Sequence, residues 1–525
     1  MLKRVDSRCL RRPLALWDEA GLRAAERHWA QRLPEHALMD RAGAAVAALL
    51  RARWPHARRV LLLCGPGNNG GDGLCAAAWL SRQPHPPRLQ LALVGCGEAA
   101  QWDGPRRSPD WRWALRQARA AGLLPRHWLD LDPARWLAGH DVVVDALLGL
   151  GLREAPRGEV EQAILALAGF PEVLAVDLPS GLAGASGSAP GAVVQARVTV
   201  AMLGLQPGHA GGPRAAACGQ TWLDDLQADP AAAGALPAAT WGDSDSALAA
   251  LPPLAQAAHK GVRGDLLVFG GAPGMDGALW LAARAGLALG AGRVYAAAFD
   301  PRAPAVDPQY PELMLRHPDE LLRQARASSD PRACLVFGPG AGDSQQALDC
   351  LRELLALPQS LVVDADGLNL LAAQPRDGAA WQALRGRAQP AWLTPHPSEA
   401  ARLLRIDTAA VQADRLRAAR GLAELSGSHV VLKGAGTCIA CRDGRLWVNS
   451  AGNGLLATAG TGDVLSGALG ACLARSGGSV DAARAAVWLH AAAADLALRE
   501  GAALRAGTLA DWMLRAGRAA ACAAD

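Results

Sequence analysis

The stretch NSAGNGLLATAGTGDVLSG, residues 449–467, sets small residues and one carboxylate in front of an apolar run that reads as a helix. Its core is Ala459-Gly460-Thr461-Gly462-Asp463-Val464-Leu465. Small residues let backbone N–H groups converge on an anion at a helix N-terminus, where the dipole also favours negative charge. Asp463 then stands among donors suited to phosphate, a poor place for an acid unless it handles a proton. Alone, GTGD reads as a glycine-rich turn with Asp463 as an N-cap. Other stretches converge on the same chemistry and decide against that.

Working outward, strand-like and helical segments alternate through RGDLLVFGG (263–271), ACLVFGPGAG (333–342), SLVVDADGLN (360–369), AWLTPHPSEAARLL (391–404) and HVVLKGAGTCIA (429–440). The same alternation fills the first half: RRVLLLCGPGNNGGDGLCAAAWL (58–80), HDVVVDALLG (140–149), EVLAVDLPSG (172–181) and ARVTVAM (196–202). Residues 13–52 read as two helices. Such alternation predicts parallel sheets covered on both faces, with ligands beyond the carboxyl ends of the strands. Residues 228–250, rich in Ala, Pro, Ser and Asp, read as a linker between domains 1–227 and 251–525.

In GPGNNGGDG (65–73), five glycines and a proline surround two asparagines and Asp72. Successive N–H groups there can form an anion-binding nest. It is neither a Walker A loop, lacking Gly-Lys-Ser/Thr, nor GxGxxG, so an ordinary Rossmann dehydrogenase is disfavoured.

Composition narrows the class. The 525 residues imply two or three domains, and 51% hydrophobic content gives real cores. A net charge of +4 without a basic stripe argues against nucleic-acid binding. No run of about 18 apolar residues suggests a membrane span, and the N-terminus lacks a signal-peptide pattern. Eleven scattered cysteines suit reduced thiols, and a cytoplasmic enzyme, expected as a homo-oligomer, follows. The Cys438/Cys441 pair has no second pair to complete a zinc site and reads as structural. Only Lys3, Lys260 and Lys433 are lysines, which singles out Lys433 in its glycine-rich stretch.

With LMDRAG (38–43), VDALLGLGLREAPRG (144–158) and VDLPSG (176–181), the glycine loop resembles the N-terminal domain of the bifunctional NAD(P)H-hydrate repair enzymes, the NAD(P)HX epimerase, over roughly residues 14–225. Carried over by position, the resemblance implies a potassium ion held by Asn69, Asp145 and Ser180, all oxygen donors. It implies substrate contacts from Asn68, Asn69, Gly70, Gly71 and Asp72, and from Gly149, Leu150, Gly151, Leu152, Arg153, Glu154 and Ala155. Asp177 would touch the hydrated nicotinamide and move protons during epimerisation. As plain structure, Asp145 and Asp177 would be strand-end caps. Two departures stand out: the usual GTGL is Gly149-Leu150-Gly151-Leu152, and the basic residue often found before Pro-Gly is Gln206.

The second half resembles the ADP-dependent NAD(P)HX dehydratase of the same family, a ribokinase-like fold. The matching motifs are HKG (259–261), GGAPGMDGA (270–278), PELM (311–314), GPGAG (338–342), DADGLN (364–369), TPHPSE (394–399), KGAGT (433–437) and the loop at 449–467, where Gly454-Leu455-Leu456 replaces the usual Gly-Met-Ala. The resemblance assigns Lys433, Gly434, Ala435, Gly436, Thr437 and Gly462 to the adenine nucleotide, and Ala278, Gly340 and His396 to the substrate. Asp463 would be the base that deprotonates the substrate hydroxyl as it attacks the terminal phosphate of ADP. Magnesium should accompany ADP, with Glu399 and Asp364 as candidate outer ligands.

The expectation is therefore two three-layer α/β/α domains, a Rossmann-like epimerase and a ribokinase-like dehydratase, acting on hydrated NADH and NADPH with ADP, potassium and magnesium. The rival is a ribokinase-like kinase of a small vitamin-precursor alcohol, with a non-catalytic N-terminal domain. GTGD alone fits both; NNGGDG, HKG and TPHPSE favour repair.

Overall fold

Strands whose runs of Val and Leu are buried on both faces occupy the middle of two separate sheets, as parallel sheets covered by helices require. In Arg59–Cys64, for example, every residue after Arg59 is buried. The computed structural model describes residues 2–5, 12–132, 136–212, 215–252, 256 and 259–522. The chain divides into two units, Met1–Ser7 with Ala15–Thr240 and Arg8–Leu14 with Trp241–Asp525.

The first unit holds β1 (Lys3–Arg4), β3 (Arg59–Cys64), β4 (Arg88–Leu93), β5 (Arg126–His127), β6 (Val142–Ala146), β7 (Val173–Val176), β8 (Val198–Met202) and β9 (Gln220–Asp224). The sheet order is β1-β9-β8-β7-β6-β3-β4-β5, parallel except for β1 against β9. From β3 the chain builds outward through β4 and β5. It then returns to place β6 on the other side of β3, so the topology reverses between β3 and β6. That crevice is where ligands of doubly wound sheets bind. Helices α1 (Glu19–Ala30), α2 (Ala37–Arg53) and α3 (Asn68–Ser81) belong to this unit.

The second unit contributes β10 (Ala239–Gly242), β11 (Asp265–Gly270), β12 (Arg293–Ala298), β13 (Met314–Arg316), β14 (Cys334–Phe337), β15 (Ser360–Val363), β16 (Trp392–Leu393), β17 (His429–Leu432), β18 (Cys438–Ala440) and β19 (Leu446–Val448). Its sheet runs β13-β12-β11-β14-β15-β16-β17-β18-β19-β10-β2, with β2 at Pro13–Leu16. Strands β13 to β17 are parallel, and β17-β18-β19 antiparallel. Here the reversal lies between β11 and β14. The helix Thr461–Ser476 packs its Val464, Leu465, Ala468 and Leu469 into the core of this sheet.

Two readings are corrected. Pro13–Leu16 is a strand, and the helices begin only at Glu19. The stretch 228–250, read as linker, does hold the boundary between the two units, at Thr240 and Trp241, but it is not irregular, since it contains β10 and the helix Ser244–Ala249. Ala239 and Trp241 alternate inward along β10, and buried Asp243 accepts a hydrogen bond from Arg484 at 2.9 Å. Cys438 and Cys441 are buried and form no disulfide.

Candidate active sites

Four adjacent strand ends make the first site. Beyond β3, the loop 65–67 leads into α3 at Asn68. Close approach dictates the glycines: a Cβ on Gly65 would lie 1.9 Å from the Leu147 carbonyl oxygen, and one on Gly70 equally close to the Gly65 carbonyl oxygen. Beyond β6 runs the loop 147–155; beyond β7 come Asp177 to Ser180; beyond β8, Leu203 to Gln206.

Asn68, Asn69, Asp72, Gly149 to Glu154 and Asp177 line one cavity of about 940 Å³. Of the substrate residues read from sequence, Gly70 and Gly71 are buried within α3, and Ala155 packs on Gly191 instead of facing the cavity. The cavity also takes a wall from α1 that sequence reasoning missed: Leu22, Arg23, Glu26, Arg27 and Ala30.

Beneath the cavity sit the three oxygen donors expected for potassium. Ser180 donates from Oγ to Asp145 Oδ1 at 2.6 Å and from its backbone N–H to Oδ2 at 2.8 Å. Its Oγ accepts from the Leu148 N–H at 2.9 Å. Asn69 Nδ2 donates to the Leu148 carbonyl at 2.9 Å, while Asn69 Oδ1 is buried with no hydrogen-bond partner among the described residues. A buried carbonyl oxygen left unpaired is costly. A hard cation beside it, with Asp145, Ser180 and the Leu148 carbonyl nearby, would supply the missing partner. Burial pushes Asp145 up to about 6, against the pull of its Ser180 and Leu147 hydrogen bonds.

Asp177 is held in a left-handed backbone conformation (φ 63°) that non-glycine residues seldom adopt. His209 Nε2 donates to the Asp177 carbonyl at 2.8 Å, and its Nδ1 accepts from the Gln206 N–H at 3.0 Å. That pattern requires a neutral imidazole protonated on Nε2, and burial lowers its pKa accordingly. Gln206 Nε2 stands 3.4 and 3.3 Å from the two carboxylate oxygens. Burial, then the neighbouring Glu26, push Asp177 up to about 7, while hydrogen bonds from the Met202 and Leu150 backbone and from Gln206 pull it down. Burial and the Asp177 charge also raise Asp72 well above the usual range. The floor is thus acidic, with like charges rather than cations acting on Asp177 and Asp72 among the described residues. The partners of Asp177 were foreshadowed only by the Gln206 departure.

The second site gathers at the carboxyl ends of β11, β14, β15, β16 and β17. Loops from the two strands flanking the reversal interlock: Ala272 N–H donates to the Gly340 carbonyl at 2.6 Å, and a Cβ on Gly340 would lie 3.2 Å from Ala278 Cβ. Ala278 and Gly340, expected on the substrate side, are therefore neighbours. From the end of β15, Asp364 accepts from Lys433 Nζ at 2.7 Å, in a pair whose carboxylate is 1% exposed. A Cβ on Gly462 would stand 3.2 Å from the same Nζ, so Lys433, Asp364 and Gly462 meet at the start of the helix carrying Asp463. Burial, then Asp364, push Asp463 up to about 6, with Lys433 opposing them.

The 433–437 turn is shaped by Gly434 (φ 139°), with Thr437 Oγ1 donating back to the Gly434 carbonyl at 3.0 Å and Ala435 and Gly436 between them. His396 caps the helix Pro397–Leu404: its Nδ1 accepts from Ser398 N–H at 3.2 Å, and Glu399 accepts from His396 N–H at 2.8 Å. His396 Nε2 lies 3.2 Å from Glu399 Oε1. Burial pushes Glu399 up to about 7, with Asp364 adding to it and Lys433 opposing. Among the described residues no three His, Cys, Asp or Glu side chains converge on a metal. An ion here would draw ligands from phosphate and water, as magnesium prefers.

Residues 266–514 match the family model described as NAD(P)H-hydrate dehydratase, and residues 35–208 the one described as YjeF-related protein N-terminus. The bifunctional NAD(P)H-hydrate repair enzyme of Escherichia coli (strain K12) is 35% identical over 488 residues, covering 92% of this chain and 90% of that protein. The chain belongs to the bifunctional NAD(P)H-hydrate repair enzyme family. The member from Coxiella burnetii is 36% identical over 480 residues, covering 89% and 92%. Among solved structures, the ADP/ATP-dependent NAD(P)H-hydrate dehydratase from Bacillus subtilis, co-crystallised with ATP/Mg2+, is 28% identical, with a TM-score of 0.47 over 52% of this chain and 96% of that one. The family's two parts correspond to the two α/β sheets, and the small-alcohol kinase reading gives way to it. Among the described residues no helix is long and apolar enough to cross a membrane.

Proposed function

We propose that this chain repairs hydrated NADH and NADPH in two steps: the domain within 1–227 interconverts the R and S hydrates, and that within 251–525 dehydrates the S form using ADP. The observation that carries this reading is the pairing of two differently built carboxyls, Asp177 beside the neutral amide of Gln206 and Asp463 beside Lys433.

In epimerisation, the protonated Asp177 gives its proton to the C6 oxygen as the C6–O bond breaks, and the N1 lone pair forms a C6=N1 iminium. Water adds to the opposite face and returns a proton to Asp177. Gln206 and His209 fix the carboxyl for both transfers. Asn69, Asp145 and Ser180, with the Leu148 carbonyl, would hold potassium. Its charge would tie the 147–155 loop to α3 and offset the ionised Asp145.

In dehydration, Asp463 removes the C6 hydroxyl proton as that oxygen attacks the terminal phosphorus of ADP, and AMP leaves. The N–H groups at the start of the Asp463 helix and the Lys433 ammonium stabilise the charge on the transferred group. The N1 lone pair then expels inorganic phosphate. The departing phosphate takes a C5 proton, and the C5–H electron pair forms the C5=C6 bond that restores the dihydronicotinamide. Gly434 to Thr437 receive the nucleotide, and Ala278, Gly340 and His396 the substrate. Magnesium would be held through the phosphates near Asp364 and Glu399, neutralising their charge. The unpaired described cysteines fit a cytoplasmic setting.

The test is the absorbance of reduced nicotinamide after mixing the protein with an R/S mixture of NADHX, magnesium and ADP, with ATP in parallel. Full recovery with ADP is expected. Recovery limited to the S fraction would remove the epimerase half, and no recovery with either nucleotide would overturn the whole reading.

A further inference from the structure

The epimerase cavity is electrically two-sided. Its floor carries Asp72 and Asp177, with Glu26 of α1 acting on Asp177, while α1 also sets Arg23 and Arg27 on the adjoining wall, one turn apart, and Arg153 and Glu154 of the 147–155 loop line it too. Glu19 links these parts: Arg23 Nε donates to Glu19 Oε1 at 2.8 Å, and Arg153 Nη2 lies 3.6 Å from Glu19 Oε2. Gly151 in the loop packs on the same pair, its φ of 99° bringing the backbone to where a Cβ would be 3.0 Å from Glu19 Oε1. One carboxylate thus orients two guanidinium groups from two different elements at the same cavity.

A hydrated dinucleotide is two-sided in the matching sense. Its reduced, hydrated ring is uncharged and can meet an acidic floor. Its diphosphate is anionic and cannot. Guanidinium groups bind phosphate oxygens in a paired, planar fashion and are less tightly hydrated than ammonium groups. We propose that Arg23 and Arg27 of α1, with Arg153, bind the diphosphate of the substrate, and that Glu19 positions Arg23 and Arg153 for it. This rests on the epimerase reading and adds to it the direction in which the substrate lies: ring towards Asp177, diphosphate against α1.

The ion pairs at Glu19 are open to solvent, with Arg153 83% and Arg23 48% exposed, so they add little to folding. Substitutions there should leave the domain intact. The experiment compares wild type, Arg23→Ala, Arg27→Ala and Glu19→Gln for R/S exchange of NADHX, without nucleotide. The parallel substrate is the hydrate of dihydronicotinamide riboside, which has the ring and no phosphate. The arginine variants are expected to raise KM for NADHX by at least about tenfold with kcat unchanged. Glu19→Gln should raise it less, and exchange of the riboside should not change. Equal losses on both substrates, or an unchanged KM for NADHX, would overturn the proposal while leaving the epimerase reading standing. A wild-type chain that exchanges no epimers would overturn both.

Discussion

Gln206→Lys asks whether Asp177 works from its protonated form. The Gln206 amide lies 3.4 and 3.3 Å from the two carboxylate oxygens and carries no charge. A lysine ammonium at about 4 Å would contribute about 4 kcal/mol at an effective dielectric near 20. At about 1.4 kcal/mol per pKa unit that is at most about three units. Burying the ammonium offsets part of it, so a fall of roughly one to three units is expected.

Asp177 starts at about 7, so about a quarter of it is protonated at pH 7.5. After the substitution the protonated share drops by about tenfold to several hundredfold, and epimer exchange at pH 7.5 should slow in proportion. The alkaline limb of the profile should move to lower pH by the same amount. The assay is chromatographic separation of R- and S-NADHX over time without nucleotide, with the uncatalysed exchange subtracted. ADP-dependent dehydration of the S form by the same sample shows that the protein is folded. An exchange rate that is unchanged or faster at pH 7.5 would show that the carboxylate, not the acid, is the working form.

Asp463→Asn should lower S-NADHX dehydration by about a hundredfold or more while leaving nucleotide binding and epimer exchange in place. In the wild type, dehydration should rise with pH through about 6 and level off above it, since Asp463 must be ionised to act as base. Lys433→Met strands the buried Asp364 charge and should cost about 3–5 kcal/mol of stability, read by chemical denaturation. Adding Asp364→Asn should restore stability without restoring nucleotide affinity. Because Asp145 rests at about 6 in the folded state, that unit holds an extra proton between about pH 4 and 6, and its stability falls as pH rises through this window. Potassium favours the ionised carboxylate, so the gain in Tm from KCl over choline chloride should be larger at pH 8 than at pH 5.

What could be read in the sequence is what neighbouring residues enforce on one another. Gly65 and Gly70 announce a site because backbone must pass within contact of backbone there. GTGD announces another, because a lone acid among small residues at a helix start has few purposes. Contacts between distant segments leave no such trace. Lys433 stood out by its rarity, yet its partner Asp364 lies 69 residues away and was expected only as a metal ligand. The α1 wall was illegible for a different reason. Arg23, Glu26 and Arg27 look like the solvated face of an amphipathic helix, and only the packing of α1 on the loops beyond β6 and β8, at Gly151 and Gly204, turns that face into a cavity lining. Strand β10 was hidden in an Ala- and Pro-rich stretch because pairing between β19 and β2, not local propensity, makes it a strand.

The two sites use the same side chain for opposite tasks, and the surroundings decide which. Burial raises both carboxyls, Asp177 to about 7 and Asp463 to about 6. Around Asp177 the next influence is a like charge from Glu26, and the side chain that hydrogen-bonds its oxygens is a neutral amide. A proton is therefore retained near neutrality, which suits protonation of a departing oxygen. Around Asp463 the like charge of Asp364 is opposed by Lys433, itself bound to Asp364 at 2.7 Å. The carboxylate is then ionised at neutral pH, which suits removal of a hydroxyl proton before phosphoryl transfer. Moving a cation beside Asp177, or removing the one beside Asp463, should bring the pH behaviour of each site towards that of the other.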